Sequence, residues 1–380
     1  MRKTLYLLFA CLVFPALSLA DCPTPTQFNG TQTSGAVYRI YMPDLSCWNG
    51  GLVIFAHGYV PPQVAPLAIP EDQLTINGVS LPGLINQLGY AFALSSYRKN
   101  GLAIKEGILD SEDLVNVFNQ QVHVAPQKVY IAGASEGGLV SALSIEQLAN
   151  VYNAALPACG PIGDFRLQLN YIGDFRVIFD YFFPGVIPGN PVAIPPETIA
   201  GWNPNQIIAV LHANPSATAQ FLKVTQFPVG SDANTTAQNI VGLLAYNVLG
   251  ANDATAELGG QPYDNRFRIY FGSSNDLRLN LKVERFSADP KALAEIAAHY
   301  QTTGKLSRPA VTLHTTSDPI VPYLHEPLYT LKTLFSGSAL EHVNLPVSAY
   351  GHCNFQESDL LTAFGLLVFK DTGQLLPAAQ

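Results

Sequence analysis

Residues 128–148 read KVYIAGASEGGLVSALSIEQL, and this stretch decides the fold. Lys128 to Ala132 is a short, mostly apolar run, the pattern of a strand buried on both faces. Glu136 to Leu148 continues as a proline-free helical segment. Between them stands Gly133-Ala134-Ser135-Glu136-Gly137, a Gly-x-Ser-x-Gly pattern. A strand that turns sharply into a helix through one serine strains its backbone. Glycine on either side lets the turn close without side-chain collision. Such a turn lifts the Ser135 hydroxyl clear of the sheet. It also sets the Glu136 N–H at a helix start, where it can stabilise an oxyanion. The further Gly138 permits close packing of that helix.

Outward from this point, strands and helices alternate. Ala36 to Met42, Leu52 to Ala56 and Tyr90 to Ser95 read as strands, bounded by glycine, proline or asparagine. Ser111 to Val122 carries Leu114, Val115, Phe118 and Val122 at helical spacing, with Asp110 or Ser111 expected as its cap. Tyr152 to Leu156, Ala310 to His314 and Val343 to Ala349 complete the strand series. This alternation predicts a mainly parallel sheet with right-handed crossovers. The residues before Ala36 are rich in Thr, Pro and Gly and read as loop.

One interval departs from the alternation. Residues 164–306 show mostly helical patterns between Pro and Gly clusters, and are read as a cap inserted over the carboxyl ends of the strands. The sheet-forming core is then divided into residues 21–163 and 307–380. Gly163-Asp164-Phe165-Arg166 recurs as Gly173-Asp174-Phe175-Arg176, which is read as one amphipathic helix. Phe165, Tyr171, Phe175, Phe179, Tyr181, Phe182 and Phe183 crowd the same stretch. Most are expected to form the cap's own core, and some to line an apolar acyl or aryl pocket.

A serine hydroxyl is a weak nucleophile at neutral pH and needs a base, which in turn needs an orienting acid. Ser317-Asp318-Pro319 follows the strand at Ala310, and Gly351-His352-Cys353 follows the strand at Val343. Both therefore fall at carboxyl ends of strands, where ligands bind in such sheets. Asp318 is read as the acid and His352 as the base. Among the eight histidines, His352 alone follows the last strand in a glycine-led turn; His314, His325 and His342 are read as packing or surface residues. Phe55-Ala56-His57-Gly58-Tyr59 ends an earlier strand. There the Tyr59 N–H is the expected second oxyanion donor and His57 a buried structural imidazole.

Together these residues resemble the α/β-hydrolase superfamily, with nucleophile, acid and histidine in that fold's order along the chain. The resemblance rests on His57-Gly58, residues 133–138, residues 317–322 and Gly351-His352. It implies acyl transfer to water through an acyl-enzyme, with no metal and no cofactor. The glycine pair after the serine looks like prolyl-oligopeptidase-type peptidases and their esterase relatives. The Gly-His-Cys element is similar to one in tannases and feruloyl esterases, where a cysteine beside the nucleophile pairs with the one after the histidine. Ala134 occupies that neighbouring position here, so the same bridge cannot form. Carboxylic esters, small or oligomeric, are the expected substrates. A serine peptidase is the alternative, with Asp164, Asp174 and Asp180 available to hold a substrate amine. A catalytically inactive binding module on the same fold is the third reading.

The N-terminus speaks to location. Arg2 and Lys3 precede an apolar run from Leu5 to Phe14, then Pro15 and Ser18-Leu19-Ala20. That order predicts a secretory signal peptide over residues 1–20, cleaved before Asp21, and a secreted or periplasmic protein without stable membrane insertion. Cys22, Cys47, Cys159 and Cys353 would remain, with no Cys-x-x-Cys zinc spacing. An even number after export suggests two disulfides. Cys159 follows the strand next after the nucleophile strand and Cys353 follows His352, at the same end of the sheet. Cys159–Cys353 is therefore predicted, which leaves Cys22–Cys47. Charged residues make up only 13% of the chain and the net charge is −8, which argues against nucleic acid and against anionic membranes as partners.

Overall fold

The computed structural model describes residues 24–376. Its centre is an eight-stranded sheet. The strands are β1 (Thr26–Thr31), β2 (Val37–Met42), β3 (Gly51–Ala56), β4 (Ala91–Ser95), β5 (Lys128–Ala134), β6 (Ala154–Ala158), β7 (Ala310–Ser317) and β8 (His342–Tyr350). They lie in the order β1-β2-β4-β3-β5-β6-β7-β8. β2 runs antiparallel to both its neighbours, and β4 to β8 pair with their neighbours beyond β2 in parallel. This is the α/β-hydrolase fold.

Five helices flank the sheet: α1 (Leu81–Gln87), α2 (Ile104–Val122), α3 (Glu136–Gln147) and, after the insertion, α11 (His325–Phe335) and α12 (Glu357–Thr372). Alternation along β3 divides the core into two layers, because successive side chains leave a strand on opposite faces. Val53 and Phe55 pack with Ile85 of α1 and Phe364 of α12. Leu52 and Ile54 pack with Leu114 and Phe118 of α2. Each such aliphatic or aromatic side chain, fully buried, contributes about 1.5–3 kcal/mol.

Between β6 and β7 the chain makes seven helices: α4 (Phe165–Phe182), α5 (Pro196–Ala200), α6 (Pro204–Ala213), α7 (Pro215–Thr225), α8 (Ala233–Glu257), α9 (Asp276–Lys282) and α10 (Pro290–His299). Phe175, Phe179 and Phe183 form a core there with Phe221 and Phe227. The repeated Gly-Asp-Phe-Arg motif is one helix. Asp164 caps α4 by accepting from the Leu167 N–H, and the second copy lies within the helix.

Two elements differ from the sequence reading. α2 begins at Ile104, seven residues before Ser111, so neither Asp110 nor Ser111 is its cap. Asp110 is fully buried, and its carboxylate accepts from the Arg98 N–H and pairs with the Arg98 guanidinium. Thr26 to Thr31 is a strand rather than loop, paired along its length with β2 at the sheet edge.

Candidate active site

Ser135 joins β5 to α3 with φ 59° and ψ −120°, a backbone region that non-glycine residues rarely occupy. The turn is possible only because two backbones approach closely. A Cβ on Gly133 would overlap the Gly137 carbonyl, and one on Gly137 would overlap the Ala56 carbonyl. The turn thus wedges between α3 and the end of β3. Gly58 sits beside it: a Cβ there would stand 3.2 Å from the Ser135 Cβ. The Gln73 side chain secures this loop, accepting from the Gly58 N–H at 2.6 Å. Neither the Tyr59 N–H nor the Glu136 N–H enters the loop and turn hydrogen bonds of the described residues. His57 is buried, with its ring stacked on Tyr97 at 3.9 Å and its Nδ1 bonded to the Gly58 carbonyl.

Asp318 follows β7 and is held on all sides. Its Oδ1 accepts from the Ile320 and Val321 N–H groups at 2.8 and 3.0 Å. Its Oδ2 lies 2.7 Å from His352 Nδ1. Burial pushes this carboxyl up, but the adjacent His352 and His314 outweigh burial and hold it at about 2, so it is ionised at neutral pH. His352 follows β8. The order of Ser135, Asp318 and His352 places all three at the carboxyl ends of parallel strands. Asp318 and His352 are in direct contact. Ser135 and His352 share no hydrogen bond among the described residues; the Tyr246 hydroxyl lies close to the Ser135 side chain. Hydrogen bonds of this kind are often long before substrate binds.

Cys159 and Cys353 form a disulfide with Cα atoms 5.6 Å apart, tying the His352 turn to the end of β6. The Cys353 Sγ lies 3.7 Å from His352 Nε2. Cys47 is also disulfide-bonded. Cys22, predicted as its partner, lies outside the described residues, as does the predicted signal peptide.

Side chains to which the sequence reading gave no catalytic part lie beside the candidate site. His314, read as a packing or surface residue, is buried with its Nε2 3.4 Å from Asp318 Oδ2. The Glu136 side chain, considered only for its N–H, is buried too. Burial pushes its carboxyl up to about 8, against a hydrogen bond donated by the Ala103 N–H. Tyr246 of α8 packs against Tyr59 at 5.4 Å. The Tyr246 hydroxyl is raised to about 12, chiefly by burial. The only local hint for His314 is a charged residue in an otherwise apolar and Thr-rich strand. Tyr246 has none, since only the folding of α8 over the sheet brings it to Ser135.

A cavity of about 130 Å³ opens beside Glu136 and Tyr59, between α4 and α8. Phe165, Ile172, Ala251 and Val321 are among the apolar residues in its walls. The three acids considered as amine anchors are engaged elsewhere. Asp164 caps α4 and accepts from Gln301, Asp174 pairs with Arg268 and accepts from Tyr263 and Tyr270, and Asp180 pairs with Arg176.

No protein-family model and no curated protein matches the chain. Solved structures resemble it in fold. Feruloyl esterase B from Aspergillus oryzae matches at 12% identity and a TM-score of 0.48, covering 94% of this chain and 85% of its own. Lipase A of Candida antarctica, in its closed state, matches at 15% identity and a TM-score of 0.47, covering 93% and 79%. An acylaminoacyl peptidase in complex with a chloromethyl ketone matches at 11% identity and a TM-score of 0.46. The chain covers 41% of that peptidase's length, with 93% of its own residues aligned.

Proposed function

We propose that this chain is a serine hydrolase that cleaves carboxylic esters through an acyl-enzyme. The observation that carries the reading is the 2.7 Å contact between His352 Nδ1 and an ionised, fully bonded Asp318, at the same sheet end as the strained Ser135 turn. An ionised Asp318 accepts a hydrogen bond from the His352 Nδ1–H and so leaves the Nε2 lone pair free to act as base. When substrate enters, Ser135 Oγ attacks the carbonyl carbon and its proton passes to His352 Nε2. The Glu136 and Tyr59 N–H groups receive the oxyanion. His352 then returns the proton to the departing alkoxide, which leaves as alcohol. Water enters, loses a proton to His352 and attacks the acyl carbon, and Ser135 leaves with that proton. The apolar cavity beside Glu136 takes the acyl group.

Esters are favoured over amides for two reasons. An amide expels an amine that must be protonated in the same encounter, which demands stricter positioning. A peptidase that reads a charged amine also needs a free carboxylate, and Asp164, Asp174 and Asp180 are all spent on bonds within the insertion. The test is a pair of matched substrates, an alkyl ester and an amide of the same acid. The ester is expected to show the higher kcat/KM. A peptide amide cleaved with higher kcat/KM than every unactivated ester tested would move the assignment to a peptidase. We further propose that the chain is exported, with residues 21 onward as the mature enzyme. The Cys159–Cys353 disulfide supports that location, since such bonds persist in oxidising compartments.

A further inference from the structure

His314 lies on β7, four residues before Asp318, with no exposed surface. Its Nδ1 is 3.1 Å from Glu326 Oε1 on α11. Its Nε2 is 2.9 Å from the Val321 carbonyl and 3.4 Å from Asp318 Oδ2. Every atom facing the two ring nitrogens is therefore a carboxylate or carbonyl oxygen. A neutral imidazole keeps one bare nitrogen and would turn its lone pair on an acceptor; the cation donates on both sides. Glu326 is itself held in place, because its Oε2 accepts from the Thr312 hydroxyl at 2.5 Å and from the Asn344 amide.

We propose that His314 is a positioning residue of the hydrolytic site, a buried cation clamped between Glu326 and Asp318 that fixes the Asp318 carboxylate and tempers its pull on the His352 proton. This role rests on the reading of Ser135, Asp318 and His352 given above. Asp318 Oδ2 is shared by two imidazoles, while Oδ1 is held by two backbone amides. With Glu326 and Asp318 negative and His314 positive, the cluster carries one net negative charge. It becomes neutral when His352 takes the Ser135 proton. Without the His314 charge, the Asp318 carboxylate would face His352 with no cation beside it and would hold the His352 proton more tightly.

The surroundings agree. The other groups facing His314 are His325 of α11 and the edge of the Tyr323 ring at 5.8 Å. His342 of β8 is one bond further, on the Thr312 hydroxyl. Burial, with the His314 charge adding to it, pushes His325 down to about 3, so His325 stays neutral. Burial lowers His314 as well, but the bonds to Asp318 and Glu326 overcome it and raise His314 to about 10.

The test has two arms. The first is the rate of Ser135 labelling by a fluorophosphonate against pH, in the parent, in His314→Gln and in His314→Gln/Glu326→Gln. The double variant removes one positive and one negative charge together, so it remains informative if the single variant does not fold. Loss of the cation raises the pH at which His352 becomes a free base. The acidic limb of the labelling profile is expected about one pH unit higher in His314→Gln, and above the parent's by a smaller amount in the double variant, where loss of the Glu326 charge, which touches His314 and not Asp318, offsets part of the change. The second arm is nitrogen-15 NMR of histidine-labelled parent at pH 7. His314, assigned by the signals that the variants lose, is expected to show a proton on both ring nitrogens. Folded variants whose acidic limb coincides with the parent's, or a His314 ring with a single N–H at pH 7, would overturn the proposal. A parent that does not label at Ser135 at any pH is a separate result, and overturns the nucleophile assignment beneath it.

Discussion

At the scale of the residue, four side chains carry the account: Ser135, Asp318, His352 and His314. Ser135→Ala removes the nucleophile and leaves the turn, so turnover is expected to fall by on the order of 10⁴-fold or more while the melting temperature stays near the parent's. Asp318→Asn keeps the shape of the site but offers an amide where His352 Nδ1 needs an acceptor. A loss on the order of 10⁴-fold in kcat is expected, and parent-like hydrolysis would show that another group is the acid. His314 gives a stability signature of its own. Its value in the fold is about 10, above the ordinary value near 6.5, so its contribution is complete below pH 6.5 and is lost as pH rises toward 10. Urea unfolding across that window should show stability falling in the parent, with a shallower fall in His314→Gln. The strand-end positions of Ser135, Asp318 and His352 were legible in the sequence because each sits in a short motif after a strand. His314 was not, because its clamp is assembled from a strand, a loop and a helix: Asp318, Val321 and Glu326 mean nothing to it until the chain is folded.

At the scale of the element, the strand–serine–helix turn was readable because every constraint on it is local: glycines 133 and 137, an apolar strand and a proline-free helix. Elements whose reason lies elsewhere were not. β1 alternates between exposed and half-buried residues at the sheet edge, so its polar sequence, TQFNGT, resembles a loop. The start of α2 was missed because Asp110 turns inward to Arg98 instead of capping. Two predictions belong here. The Cys159–Cys353 bridge closes a loop of 194 residues, for which chain entropy sets a contribution of up to about 5 kcal/mol. Cys353→Ser should lower stability by roughly 2–5 kcal/mol and free the His352 turn, with kcat falling alongside. Unchanged denaturant midpoint and kcat would show that the bridge supports neither. The second concerns the cavity between α4 and α8. At about 130 Å³ it holds roughly four water-sized groups. A series of p-nitrophenyl esters should therefore peak at short acyl chains, with kcat/KM for the butyrate well above that for the decanoate. Ile172→Trp, which fills the cavity, should move the peak toward the acetate. A decanoate preference would place the acyl group elsewhere.

At the scale of the whole molecule, a low-charge chain with a net charge of −8 folds as a sheet covered by helices on both faces, with seven helices inserted between β6 and β7. The helical character of that interval was visible in the sequence, because 164–306 lacks buried-strand runs. Its contacts were not: Tyr246 meets Tyr59 and Ser135 only through the packing of α8 across the sheet end. Among the described residues, no helix is long and apolar enough to cross a membrane. Expression with export should yield a mature protein whose intact mass begins at Asp21; a mass retaining Met1 would contradict the signal-peptide reading. The central claim is that the Ser135 turn, with His352 and Asp318, makes a working nucleophile. Treatment of the purified protein with a fluorophosphonate, followed by peptide mass spectrometry, tests it most directly. The account predicts one label per chain, on Ser135, abolished in Ser135→Ala and strongly slowed in His352→Ala. A folded protein that remains unlabelled, or that takes the label on another residue, would contradict it.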